Sequence, residues 1–132
     1  MLAVAGGVAA LRVYLEEGLF ERALEIEGWL REGLGELRRR HPVVGDVRGL
    51  GAHFGLELVK DRETREPLVE WHHPEGSAPM KLFYGELMKR GVHAYGRYNV
   101  AMVSPPFVIT REELSQGLEA FDAALSVVEA AL

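Results

Sequence analysis

Apolar residues recur along this 132-residue chain with two different spacings. Residues 2–17 are apolar nearly all round, which predicts a helix that is buried on several sides. Gly18 interrupts this helix. From Leu19 the apolar positions fall three or four residues apart, which predicts an amphipathic helix that His41-Pro42 ends. Three arginines at 38–40 suit the negative end of that helix.

A period of two replaces the helical spacing at residues 52–59, as is typical of a half-buried strand. The polar stretch KDRETREP (60–67) then predicts a turn, and Leu68, Val69 and Trp71 form a candidate returning strand. Two further strands are predicted at residues 92–95 and 100–103, joined by a connection at 96–99.

Two more helices complete the pattern. Residues 80–90 form a short one that Gly91 stops. Pro105-Pro106 ends the last strand and stiffens the corner after it. Thr110 and Glu113 form a capping box for a closing helix. The fold class is therefore α+β: two N-terminal helices, a small and mostly antiparallel sheet of three to four strands, a short helix and a closing C-terminal helix.

Composition narrows the class of protein. The length fits one domain, residues 1–132. The formal charge is −5 and the arginines and lysines are scattered among acidic residues, so a nucleic-acid partner is not expected. The chain has no cysteine, no transmembrane run and no secretory signal, so we expect no membrane partner and a cytoplasmic location.

The five histidines raise the possibility of a metal site. His72 and His73 are adjacent, with Glu70 and Glu75 nearby, but this spacing fixes no ligand geometry, so a surface loop is the favoured interpretation and no metal is expected. We expect His53 on the solvent side of its strand, and His41 and His93 have no obvious partners. The glycines of RGLGAHFG (48–55) lead into a strand and not out of one, which favours bulged strand glycines over a phosphate loop.

Arg97 lies in AYGRYN, between two apolar segments and beside Tyr95 and Tyr98. A guanidinium held there could bind a carboxylate with two parallel hydrogen bonds, assisted by a phenol hydroxyl. The alternative is an exposed arginine stacked on a tyrosine. The residue types alone favour this alternative over the carboxylate site.

Several segments, in order, resemble the class III aminotransferases, pyridoxal-phosphate (PLP) enzymes of the omega-amino acid and ornithine type. They are EEGL (16–19), VRGLGAHFGLELVKDRETREP (47–67) and VSPPFVITREEL (103–114). The resemblance covers essentially the whole chain. It implies that residues 1–17 are the helix that enters from a large domain, and that residues 1–132 are the C-terminal small domain.

The resemblance also implies what the chain lacks. The family carries PLP on the large domain, with the lysine that forms the Schiff base, and neither Lys60, Lys81 nor Lys89 matches that lysine's motif. We therefore expect no catalytic residue, no bound cofactor and no transamination by this chain alone.

In the parent enzyme an amino acid or amine would donate its amino group to a 2-oxo acid. Arg97 would bind the substrate carboxylate with Tyr95 as its neighbour, and Arg48 would be structural. The exposed apolar helix predicts association with a large domain or a homo-oligomer. The alternatives are a non-catalytic ligand-binding or interaction module and the small subunit of a split aminotransferase.

Overall fold

The computed structural model describes residues 2–71 and 78–132, so the predicted loop histidines His72 and His73, with Glu75, lie outside it. The elements follow in the order α1 (Leu2–Glu16), α2 (Leu19–Arg40), β1 (Val44–Leu50), β2 (His53–Asp61), β3 (Glu66–Pro67), α3 (Ala78–Lys89), β4 (Tyr95–Arg97), β5 (Val100–Val103) and α4 (Arg111–Glu129). This arrangement confirms the α+β class.

The sheet is antiparallel throughout and has the strand order β1-β2-β5-β4, with the two-residue β3 paired to β2 off this path. On β2 the inward side chains Phe54, Leu56 and Leu58 are buried, as the period of two predicts. They pack in one core with α2, α3 and α4, so helices cover one face of the sheet. Gly55 and Glu57 lie on the opposite, outer face, where the candidate sites are found.

Two predicted strands were wrong. Leu68 and Val69 are buried in the core, but the returning strand is only Glu66–Pro67, and Trp71 lies in a turn. At 92–95 only Tyr95 is in a strand, because β4 is Tyr95–Arg97. The predicted connection at 96–99 therefore shrinks to Tyr98-Asn99. The residue patterns also did not predict β1, which pairs with β2 at every position except Gly45.

Gly18 separates α1 from α2 and adopts a left-handed conformation with φ 62°. Every described side chain of α1 from Ala3 onwards is exposed, so the burial predicted for this helix is absent within the chain. Tyr14 touches the neighbouring rings Phe20 and Phe107, at centroid distances of 5.7 and 5.9 Å.

Hydrogen bonds connect the corner after Pro105-Pro106 (residues 107–109) to the start of α2. Arg22 donates from Nε to the Phe107 carbonyl at 2.9 Å and from Nη2 to the Ile109 carbonyl. Immediately after this corner the predicted capping box is present: Thr110 Oγ1 accepts from Glu113 N–H at 3.1 Å, and Glu113 Oε2 accepts from Thr110 N–H at 2.8 Å. The corner therefore fixes where α4 begins.

Candidate functional site

The strand β4 lies at the edge of the sheet and presents Tyr95 and Arg97 on the same side, because side chains two residues apart share a face. They pair with Met102 and Val100 of β5. Both side chains are exposed, and α2, α3 and α4 pack on the other face of the sheet. β4 thus places a phenol and a guanidinium side by side in solvent.

Tyr98 holds the Arg97 side chain. Arg97 Nη2 donates to Tyr98 Oη at 3.3 Å, and its Cζ lies 5.1 Å from the centre of the Tyr98 ring. The centre of the Trp71 ring lies 4.4 Å from that of the Tyr98 ring, so the Tyr98 ring contacts both the Arg97 guanidinium and the Trp71 indole. Among the described residues Arg97 forms no ion pair, whereas most other arginines of the chain do. A stacked arginine without a carboxylate partner keeps most of its hydrogen-bond donors available for an anion.

A short turn anchors β4. Tyr98 itself has φ 54°, a left-handed conformation that is uncommon for a large side chain. Asn99 is buried; its Nδ2 donates to the Leu58 carbonyl at 2.8 Å, and Leu58 N–H donates to the Asn99 carbonyl at 2.8 Å. These two bonds fix the turn, and with it Arg97, to the central strand β2.

Gly96, between Tyr95 and Arg97, faces the helices. A Cβ there would lie 2.3 Å from Tyr84 Oη and 2.0 Å from the Val100 carbonyl oxygen. The Tyr84 hydroxyl is buried and has no hydrogen-bond partner among the described residues, and burial raises the pKa of Tyr84 to about 12. The sequence of α3 does not indicate that Tyr84 supports β4, because Gly96, which Tyr84 contacts, lies twelve positions further along the chain.

His41, His53 and His93 are the histidines that the structure describes. Within residues 2–71 and 78–132, no three potential metal ligands come together. His53 is exposed, as predicted, and its Nδ1 lies 2.6 Å from Ser104 Oγ.

His41, by contrast, was expected to have no partner and is buried between two carboxylates. Its Nε2 lies 2.9 Å from Asp122 Oδ1 and its Nδ1 lies 3.0 Å from Glu129 Oε2. The imidazole donates from both nitrogens only when it is protonated. This contact joins the end of α2 to α4 and is structural.

The glycines at 49, 51 and 55 belong to the β1–β2 hairpin and form no phosphate loop. Gly51 has φ 58°, and its N–H donates to Glu27 Oε2 at 2.6 Å. A Cβ at Gly49 would lie 2.4 Å from the His53 carbonyl oxygen, so the two strand backbones approach closely there, without a bulge.

All three lysines of the chain are exposed. Lys60 Nζ pairs with Glu66 at 2.6 Å, and this hydrogen bond raises the pKa of the lysine. Lys89 pairs with Glu86 at 3.2 Å, and Lys81 lies on the exposed side of α3. Schiff-base chemistry requires the opposite environment, a desolvated lysine with a lowered pKa.

Residues 1–125 match the family model of the class-III aminotransferases. The chain belongs to this family. Isoleucine 2-epimerase from Lentilactobacillus buchneri is 35% identical over 125 residues, which are 95% of this chain and 26% of that protein. Taurine–pyruvate aminotransferase from Bilophila wadsworthia is 30% identical over 128 residues, which are 95% of this chain and 27% of that protein.

A solved structure gives the same picture. The taurine:2-oxoglutarate aminotransferase from Bifidobacterium kashiwanohense, in complex with PLP and glutamate, superimposes with a TM-score of 0.89 at 35% identity, over 99% of this chain and 29% of that one. The chain thus spans between a quarter and a third of the length of these relatives. Since its three lysines are exposed, its residues do not fit a Schiff base with PLP. In the part of the chain that the structure describes, no helix is long and apolar enough to cross a membrane.

Proposed function

We propose that residues 1–132 are the C-terminal small domain of a PLP-dependent class III aminotransferase that moves an amino group from an amino acid or amine to a 2-oxo acid. The family match over a quarter of its relatives' length, together with three exposed lysines, carries this proposal. By itself the chain supplies no Schiff-base lysine and is inactive. The whole enzyme acts in the cytoplasm.

The small domain's part in the reaction is to bind and orient substrate. Arg97 binds the substrate carboxylate, and Tyr95 lies beside it on the same face of β4. Support comes from the guanidinium, which is stacked on Tyr98 and has no carboxylate partner among the described residues. A rigidly held guanidinium binds a carboxylate with two parallel hydrogen bonds and fixes its orientation.

The partner of α1 is the large domain of the same enzyme, and residues 1–17 are the connecting helix. The observation that favours this partner is a helix of fifteen residues whose described side chains from Ala3 onwards are all exposed, with large apolar groups at Val4, Leu11 and Leu15. Such an apolar surface is unfavourable in water, so we expect another protein surface to bury it. Without the large domain, copies of the chain cover one another.

A PLP titration tests whether the chain lacks its own cofactor site. The purified chain is titrated with PLP, followed by absorbance and circular dichroism, and then trapped with borohydride and mapped by peptide analysis. We expect slow, unsaturable labelling distributed over Lys60, Lys81 and Lys89. A saturable, dichroic, one-to-one adduct on one lysine would overturn the proposal and support a cofactor-binding module.

The role of Arg97 is tested in a chimera, in which this chain replaces the matching 29% of the Bifidobacterium enzyme. We expect Arg97→Gln to raise KM for the 2-oxo acid at least tenfold, with a smaller effect on kcat, because it removes binding and no chemical step. Arg90→Gln is the matched control, since Arg90 is exposed in the turn directly after α3 and pairs with Glu86 at 3.0 Å. An unchanged KM in the Arg97 variant would remove this role.

Epimerisation or racemisation of amino acids is a second candidate reaction. Isoleucine 2-epimerase is 35% identical to this chain, and leucine/methionine racemase from Thermococcus litoralis is 30% identical over 122 residues. The two reactions differ in their requirement for an acceptor. With its own large domain present, amino transfer consumes a 2-oxo acid, whereas inversion of the substrate proceeds without one.

A further inference from the structure

A cavity of about 560 Å³ opens on the outer face of the sheet, at the β1 edge and away from Arg97. Its walls carry four arginines, Arg38, Arg48, Arg62 and Arg65, and two carboxylates, Asp46 and Glu57. These side chains come from the end of α2, from β1 and β2 and from the turn after β2. The cavity therefore holds an excess of two positive charges in a chain whose net charge is −5.

The floor of the cavity is made of Gly45 and Val59. The register of β1 shifts between Val44 and Asp46, so Gly45 is an extra residue in the strand. A Cβ at position 45 would lie 2.7 Å from Val59 Cγ1. The absence of a side chain at this bulge leaves the floor open.

One arginine, Arg48, forms ion pairs with both carboxylates of the cavity. Arg48 donates to Asp46 at 3.0 Å and to Glu57 at 2.7 Å, and the hydrogen bond to Glu57 raises the pKa of the guanidinium. Asp61, the last residue of β2, accepts from Thr64 N–H and Thr64 Oγ1 at 2.7 and 3.0 Å. Asp46, Glu57 and Asp61 thus have partners other than Arg38, Arg62 and Arg65.

The remaining three guanidinium charges are not neutralised by any described carboxylate. Arg38 Nε donates to the Gly45 carbonyl at 3.3 Å. Arg62 Nε donates to the Val44 carbonyl at 2.9 Å, and its Nη2 donates to carbonyls at the end of α2. Arg65 has neither a hydrogen bond nor an ion pair among the described residues, and its backbone is left-handed with φ 60°.

We propose that this cavity binds a compact oxyanion with at least two negative charges, a phosphate ester or a di- or tricarboxylate. Arg38 and Arg65 contact the anion, and Arg62 adds attraction while it caps α2. Guanidinium groups match phosphate and carboxylate oxygens in pairs, and partial enclosure strengthens the attraction relative to open solvent. The Arg97 site is on the opposite edge strand, so this proposal does not depend on the role given to Arg97.

The test is isothermal titration of the 132-residue chain with sodium pyrophosphate and with sodium citrate, each against sodium chloride of equal ionic strength. We expect saturable one-to-one binding of at least one of the two anions. Arg38→Gln combined with Arg65→Gln weakens it at least tenfold, and Arg65→Gln alone weakens it at least threefold. Since Arg65 has no described partner, that single variant keeps the fold, which circular dichroism checks.

Arg39→Gln is the matched control. Arg39 is exposed, follows Arg38 directly in α2, pairs with Glu36 and does not line the cavity. Its loss leaves the affinity unchanged. Tighter binding of pyrophosphate supports a phosphate ester, and tighter binding of citrate supports a carboxylate ligand. Absence of saturation above chloride, or equal weakening by Arg39→Gln, would overturn the proposal.

Discussion

Gly96 illustrates how one residue without a side chain can set the position of a candidate site. It separates Tyr95 from Arg97 and lies against the buried Tyr84 hydroxyl. The sequence shows a glycine in a predicted connection, but it does not show that a tyrosine on α3 lies underneath. Only the antiparallel pairing of β4 with β5 brings the two together.

We expect Gly96→Ala to lower the free energy of unfolding by about 1–3 kcal/mol, the usual cost of inserting an atom into a packed region. The new methyl group would meet Tyr84 Oη at 2.3 Å and the Val100 carbonyl at 2.0 Å, so β4 must move away from β5. Urea denaturation followed by fluorescence measures the change.

Gly85→Ala is the control for this substitution. Gly85 lies within α3, next to Tyr84, and a Cβ there meets nothing within 4 Å. Alanine favours the helix over glycine by up to about 1 kcal/mol, so this variant is expected to be more stable. Equal stability of the two variants would contradict the packing assigned to Gly96.

The helices and the central strand follow from the sequence because their information is local. Spacing of apolar residues, the break at Gly18 and the capping box at Thr110 each act within a few positions. β1 was not predicted since its glycines hide the alternation, and its partner strand is what keeps it extended. His41 was missed for a related reason: its partners Asp122 and Glu129 are 81 and 88 positions away.

The contact between α2 and α4 gives a pH-dependent stability. The His41 hydrogen bond, followed by the charge of Arg40, lowers the pKa of Asp122 from the ordinary value of 3.8. A carboxyl group with a lowered pKa in the folded state stabilises the fold above the unfolded-state pKa. That contribution is lost as the pH falls through the folded-state pKa.

We therefore expect Asp122→Asn to reduce the free energy of unfolding by about 1–2 kcal/mol at neutral pH, which is typical of a lost charged hydrogen bond. The difference from the wild type shrinks as the pH is lowered below about 4. Denaturation curves at several pH values measure it. Glu119→Gln, one turn earlier on the exposed side of α4, controls for the change in net charge. A deficit that is the same at every pH would contradict this account.

For the whole molecule, the exposed helix α1 decides the behaviour in solution. Leu11 is 62% exposed and Leu15 is 72% exposed. We expect the wild-type chain to associate with increasing concentration and Leu11→Glu to shift it towards the monomer, as measured by sedimentation velocity. Leu132→Glu removes an equally exposed leucine at the other end of the chain and is expected to have no effect. A monomeric wild-type chain at all concentrations would disprove this prediction.

Gly18 also gives α1 a mechanical property. The helix has fifteen residues and is thus about 22 Å long, and it contacts the rest of the chain through Tyr14, near the glycine. The helix is therefore held close to the end that Gly18 joins to α2. A rotation of about 10° in the backbone of Gly18 would carry the far end through roughly 4 Å. The direction of α1 relative to the sheet therefore depends strongly on the two backbone torsion angles of Gly18.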